Sequence, residues 1–60
     1  MIEITKLNNE QIFINSSLIE SVGETPDTTI TMINGKKYIV KETVDEIIKK
    51  AAEYNRRLRA

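Results

Sequence analysis

Thr28-Thr29-Ile30-Thr31-Met32-Ile33-Asn34-Gly35-Lys36-Lys37-Tyr38-Ile39-Val40, followed directly by Lys41-Glu42-Thr43-Val44-Asp45-Glu46, decides how this chain folds. Thr28 to Ile33 is rich in β-branched residues and alternates, with Ile30 and Met32 on one face and Thr29, Thr31 and Ile33 on the other. Asn34-Gly35 is the strongest hairpin signal in the sequence, because a two-residue type I′ turn needs positive φ at both central positions. Such a turn predicts a register in which Ile33 faces Lys36, Thr31 faces Tyr38, and Ile30 faces Ile39. The next residues switch period. Thr43-Val44-Asp45-Glu46 is a capping box, in which the Thr43 hydroxyl accepts from the Glu46 amide and the Glu46 side chain reaches back. Val44, Ile47, Ile48, Ala51, Tyr54, Asn55 and Leu58 then form a stripe at helical spacing. Asp45–Lys49, Glu46–Lys50 and Glu53–Arg57 are i,i+4 pairs with the acid on the favourable, N-terminal side. A helix over 43–58 is expected.

Upstream of the hairpin the chain also reads as strands. Ile2 and Ile4 alternate with Glu3 and Thr5, and Asn8-Asn9 tolerates the backbone of a tight turn. Gln11 to Ile14 alternates less cleanly, since Ile12, Phe13 and Ile14 are all apolar; a strand covered on both faces would explain it. Asn15-Ser16-Ser17 suits a turn or a single helical turn. Leu18 to Val22 reads as a third strand, with Leu18, Glu20 and Val22 on one side and Ile19 and Ser21 on the other; Ser17 with Glu20 also fits a short capped helix. Gly23-Glu24-Thr25-Pro26-Asp27 is the clearest loop. The expected fold is therefore α+β: a small antiparallel sheet of about five strands over 1–41, followed by one C-terminal helix. An open sheet, a partial barrel and a sheet shared between subunits all satisfy the pattern.

Sixty residues make a single domain. A chain of that size buries only about 60% of the surface its unfolded form exposes, so its stability is expected to be marginal and self-association is expected. Without cysteine or histidine, neither disulfides nor ordinary zinc sites can act as staples. The same absence removes the usual thiolate and the usual neutral-pH base. Asp45 and Glu46 are adjacent on a helix and point in different directions, so they form no carboxylate dyad. Gly23 and Gly35 stand alone, so no phosphate-cradling loop is present. No enzyme activity, metal or cofactor is expected. No apolar run approaches the roughly 20 residues of a membrane span, and the N-terminus lacks the pattern of a signal peptide, so the cytosol is the expected location.

The zero net charge conceals an asymmetry. Met1 to Ile48 holds four lysines against eight acids, and Lys49 to Ala60 holds five cations against Glu53. Cations in a last helical turn complement the dipole by about 0.3–1 kcal/mol each. They also fit a contact with nucleic acid, acidic lipid or an acidic partner. For RNA binding, the aromatics available to stack bases are only Phe13, Tyr38 and Tyr54. Lys36, Lys37 and Lys41 read more simply as solubilising strand and turn positions.

Taken together, the motifs resemble one family. Met1-Ile2-x-Ile4-Thr5-x-Leu7-Asn8 is followed by Asn15 before Leu18-Ile19-Glu20. Thr25-Pro26-Asp27-Thr28-x-Ile30 and Asn34-Gly35-Lys36-Lys37-Tyr38-x-Val40 come next, then Lys41-Glu42-x-Val44-x-Glu46 with Ile47 or Ile48. Over roughly residues 1–50, in order and spacing, this is similar to the FlbD/SwrD flagellar family. Two positions depart from the family pattern: Asn8-Asn9 replaces the usual Asn-Gly, and Ser16-Ser17 a proline–acid pair. Both keep turn chemistry. The resemblance implies a small cytoplasmic, non-catalytic protein encoded among flagellar genes, which supports motility and raises the power of the flagellar motor, with the stator as a candidate route.

Three functions compete at this point. The first is a protein-interaction module of the flagellar motor, whose candidate partner-binding residues are Thr25, Pro26, Asp27, Thr28, Asn34, Gly35, Lys37, Tyr38 and Glu42. The second is a small RNA- or DNA-binding regulator of motility genes. The third is a self-assembling structural module, for which Val44, Ile47, Ala51, Tyr54 and Leu58 are the candidate helix–helix seam and exposed sheet edges the alternative.

Overall fold

A computed structural model describes residues 1–24 and 26–59, with only the backbone described for 57–59. Among the described residues there are five strands, a 3-10 turn and one α-helix: β1 (Ile2–Thr5), β2 (Gln11–Ile14), the turn Ser16–Leu18, β3 (Ile19–Gly23), β4 (Thr28–Met32), β5 (Lys37–Val40) and α1 (Val44–Arg59). The α+β class expected from the sequence is the one observed. The strands form two antiparallel sheets, β1-β2 and β3-β4-β5, rather than a closed barrel. They meet at a single antiparallel bridge between Lys6 and Val40, where the Lys41 N–H also donates to the Thr5 carbonyl at 2.8 Å.

Local chemistry accounts for most of these elements. Asn9 takes φ of 70°, the conformation expected of an Asn pair in a tight turn, and the Asn8 side chain accepts from the Glu10 N–H at 2.9 Å. Asn15 caps the 3-10 turn by accepting from the Ser17 N–H at 2.9 Å. The segment from Ile19 is strand rather than helix. The helix opens as read: the Glu46 N–H donates to Thr43 Oγ1 at 3.2 Å, and the Thr43 N–H to Glu46 Oε1 at 3.0 Å. Glu24 adds a carboxylate from a distant loop, accepting from the Val44 N–H at 3.2 Å. Thr43→Ala should therefore cost about 1 kcal/mol, seen as a lower urea midpoint with an unchanged slope.

Four expectations need correction. The β4–β5 register is one residue away from the expected one: Ile30 faces Tyr38, Thr29 faces Ile39 and Thr28 faces Val40. The loop has three residues, Ile33-Asn34-Gly35, closed by the Gly35 N–H on the Met32 carbonyl at 2.9 Å and the Met32 N–H on the Lys36 carbonyl at 2.8 Å. Gly35, at φ of 90°, takes the positive-φ position of this turn, while Asn34 uses its side chain to accept from the Lys36 N–H at 3.0 Å. The physical reason lies in Lys37-Tyr38-Ile39-Val40-Lys41. A two-residue turn would put Lys37 and Lys41 on the Ile30 face, inside the protein. The one-residue shift turns them outward with Ile39 and brings Tyr38 and Val40 in.

The second correction is Phe13, which is 64% exposed, so β2 is covered on one face only. The third is β3. Its register shifts between Ile19, opposite Met32, and Ser21, opposite Thr31, leaving Glu20 as an extra residue. That bulge brings Ile19 and Val22 to the same side, against the core, where regular alternation would separate them. The fourth is the helix surface. Ile47 is buried, and Val44, Ala51 and Tyr54 are half-buried, but Ile48 and Asn55 face solvent. Asp45–Lys49 and Glu46–Lys50 do not close as ion pairs; the ion pair found among the described residues is Lys6–Glu10 at 3.3 Å. Glu53–Arg57 depends on a side chain outside the described ones.

The core consists of Ile2, Ile4, Ile14, Ile30, Met32, Val40 and Ile47, with Ile12, Ile19, Val22, Tyr38 and Tyr54 packed against it. Both sheets and the helix therefore share one apolar interior.

Candidate interaction site

The candidate partner-binding residues do not form one patch. Pro26 and Asp27 lie exposed at the start of β4, and Asn34 and Gly35 lie exposed past its end. Six residues of extended and turning chain separate Asp27 from Asn34, a span of about 20 Å. Thr25 lies outside the described residues. Thr28 is only 6% exposed, opposite the buried Val40, so it serves packing. Tyr38 is half-buried and packs against the core.

Glu42 has a structural task. Both carboxylate oxygens accept from the Thr5 N–H, each at 2.9 Å, across 37 residues of sequence. With Lys41 on the Thr5 carbonyl, the end of β1 is closed on both backbone groups. Partial burial pushes the Glu42 carboxyl up, but hydrogen bonds from Thr5, its own backbone N–H and the charge of Lys50 outweigh this and hold it below its ordinary value.

The self-association seam is similarly occupied. Ile47 is 2% exposed within its own core, and Val44, Ala51 and Tyr54 share that inward side. The helix therefore applies this stripe to the chain's own sheets. The Leu58 side chain lies outside the described ones.

What the tertiary structure does assemble is a shallow groove of about 460 Å³ lined by Lys6, Leu7, Asn8, Lys37, Tyr38 and Ile39. It exists because the Lys6–Val40 bridge sets the end of β1 beside β5. Leu7 and Ile39 are both about half exposed, an apolar pair flanked by Lys6 and Lys37. Lys37 and Tyr38 were candidates from the sequence; Lys6, Leu7 and Ile39 were not. The outward lysine–isoleucine–lysine alternation of Lys37, Ile39 and Lys41 was the available clue. Leu7 had none, because Lys37, Tyr38 and Ile39 come from thirty or more positions away.

These elements define a small α+β protein of two short antiparallel sheets backed by one helix, with an apolar groove bordered by lysines on its surface. Within that class, the chain belongs to the FlbD family of flagellar and swarming motility proteins, whose model matches residues 1–59. The match extends over the basic end of the helix, beyond the motifs that carry the resemblance. No curated protein and no solved structure gave a match. No helix among the described residues is long and apolar enough to cross a membrane.

Proposed function

We propose that this motility protein acts without catalysis, in the cytoplasm, by binding a flagellar motor or stator protein and so raising the power of the motor. The observation that carries this reading is the groove, in which exposed Leu7 and Ile39 lie between Lys6 and Lys37. Its occupant is an acidic segment of the motor or stator protein that bears at least one large apolar side chain. Apolar contact supplies most of the affinity, and Lys37 orients and selects the acidic partner, since Lys6 is paired with Glu10 at 3.3 Å.

Ile39→Glu places a like charge against the acidic partner on a half-exposed position and should leave the fold intact. Swarming expansion should fall to the level of a strain lacking the gene, and pull-down of motor and stator proteins from the same bacterium should be lost. Normal swarming by a strain in which the Ile39→Glu protein accumulates to the normal level would exclude the groove.

A further inference from the structure

The two sheets end in two outer strands, β2 and β3, and only one of them is protected. β3 carries the bulge at Glu20, which interrupts its ladder, and places an acid within the strand. Both features discourage pairing with another chain. β2 has neither: Gln11-Ile12-Phe13-Ile14 holds no charge, no proline and no irregularity in its register with β1.

The geometry of the β1–β2 ladder identifies which backbone groups β2 leaves open. The Lys6 N–H donates to the Glu10 carbonyl at 2.8 Å, and the register continues as Thr5 with Gln11, Ile4 with Ile12, Glu3 with Phe13 and Ile2 with Ile14. Hydrogen-bonded and non-bonded pairs alternate in an antiparallel ladder. With Lys6–Glu10 bonded, Ile4–Ile12 and Ile2–Ile14 are bonded too, and Glu3, Thr5, Gln11 and Phe13 turn their backbone groups away. Thr5 confirms the alternation, since its outward N–H and carbonyl are taken by Glu42 and Lys41. The outward groups of Gln11 and Phe13 face the side of β2 on which no strand lies among the described residues. Phe13 is also the most exposed of the large apolar side chains among them.

We propose that this edge pairs with β2 of a second copy, antiparallel about a two-fold axis at Ile12, with Gln11 of each copy opposite Phe13 of the other. In that register the outward backbone groups of both strands meet as hydrogen-bonded pairs, giving a four-stranded sheet β1-β2-β2-β1. A second copy suits this edge because pairing it with itself opposes no like charges. The strand is neutral, and the neighbouring Glu10 is already paired with Lys6 at 3.3 Å within its own chain. Each Phe13 then lies on the outer face between Glu3 of its own copy and Gln11 of the other. Four residues a side is far smaller than the 20–30 of a standard interface, so the dimer is weak and concentration-dependent. The proposal does not depend on the groove at Leu7 and Ile39.

Sedimentation equilibrium of the full chain from micromolar to millimolar concentration tests it, together with amide exchange by NMR. The weight-average mass should rise towards the dimer, and the Gln11 and Phe13 amides should exchange more slowly as concentration increases. Gln11→Pro removes an N–H that β1 does not use, and Phe13→Lys removes the apolar contact while placing charge on the edge. Each variant should weaken association by at least about tenfold while keeping the far-UV spectrum of the parent. A parent chain that stays monomeric at millimolar concentration overturns the proposal. So does undiminished association of folded Phe13→Lys, which also covers the case in which Gln11→Pro fails to fold.

Discussion

Ile30→Ala should remove a large share of this chain's stability and sharply lower its urea midpoint. Ile30 is 0% exposed and lies on the central strand β4, between Val22 of β3 and Tyr38 of β5. Truncating such a side chain costs about 2–5 kcal/mol, because the lost burial is joined by a cavity that three strands cannot close. At about 0.05–0.15 kcal/mol per residue, a chain of 60 residues has only about 3–9 kcal/mol to lose. Ile39→Ala is the informative control. Ile39 is 47% exposed on the outer face, so its loss should be well under half that of Ile30. Urea unfolding followed by far-UV circular dichroism separates the two. Equal losses at Ile30 and Ile39 would mean that the hairpin adopts the two-residue turn and the other register.

Glu42→Ala should remove about 1–2 kcal/mol at neutral pH, towards the low end for hydrogen bonds to a charged group because the carboxylate is only half-buried. The loss comes from the Thr5 N–H, left unsatisfied where β1 runs out of partners. Its pH dependence has a definite sign. The folded-state carboxyl titrates below its ordinary value of 4.5, so the unfolded chain takes up the proton first. The stabilisation from Glu42 is therefore complete above that ordinary value and disappears as pH falls through the lower, folded one. Stability of the parent chain and of Glu42→Gln, which keeps one acceptor and cannot ionise, should differ at neutral pH and converge in acid. A constant difference over that range would contradict the ionised tie to Thr5.

Local chemistry was readable wherever it acts over a few residues. The Thr43–Glu46 capping box, the Asn8-Asn9 and Asn15 turns, and the Ile2/Ile4 and Ile30/Met32 faces all follow from spacing alone. Structure departs from local pattern where a choice between nearly equal local solutions is made by distant burial. Asn34-Gly35 can close a two- or a three-residue loop, and only the need to keep Lys37 and Lys41 out of the core selects the latter. The bulge at Glu20 has the same origin, because Ile19 and Val22 can both reach the interior only if alternation is broken between them. Glu42 has no local signal for its task, because its partner, the Thr5 N–H, lies 37 residues away.

The sequence by itself determined the element order, the α+β class and, through the combined motifs, the motility family, because turn, cap and alternation signals act between near neighbours. Tertiary structure alone decided which residues of β2, β3 and β5 face outside. From that came the groove joining Leu7 to Ile39, the open edge at Phe13 and the inward fate of the helix stripe. The physical reason is that strand faces are set by which side chains must escape water together, and those side chains come from opposite ends of the chain.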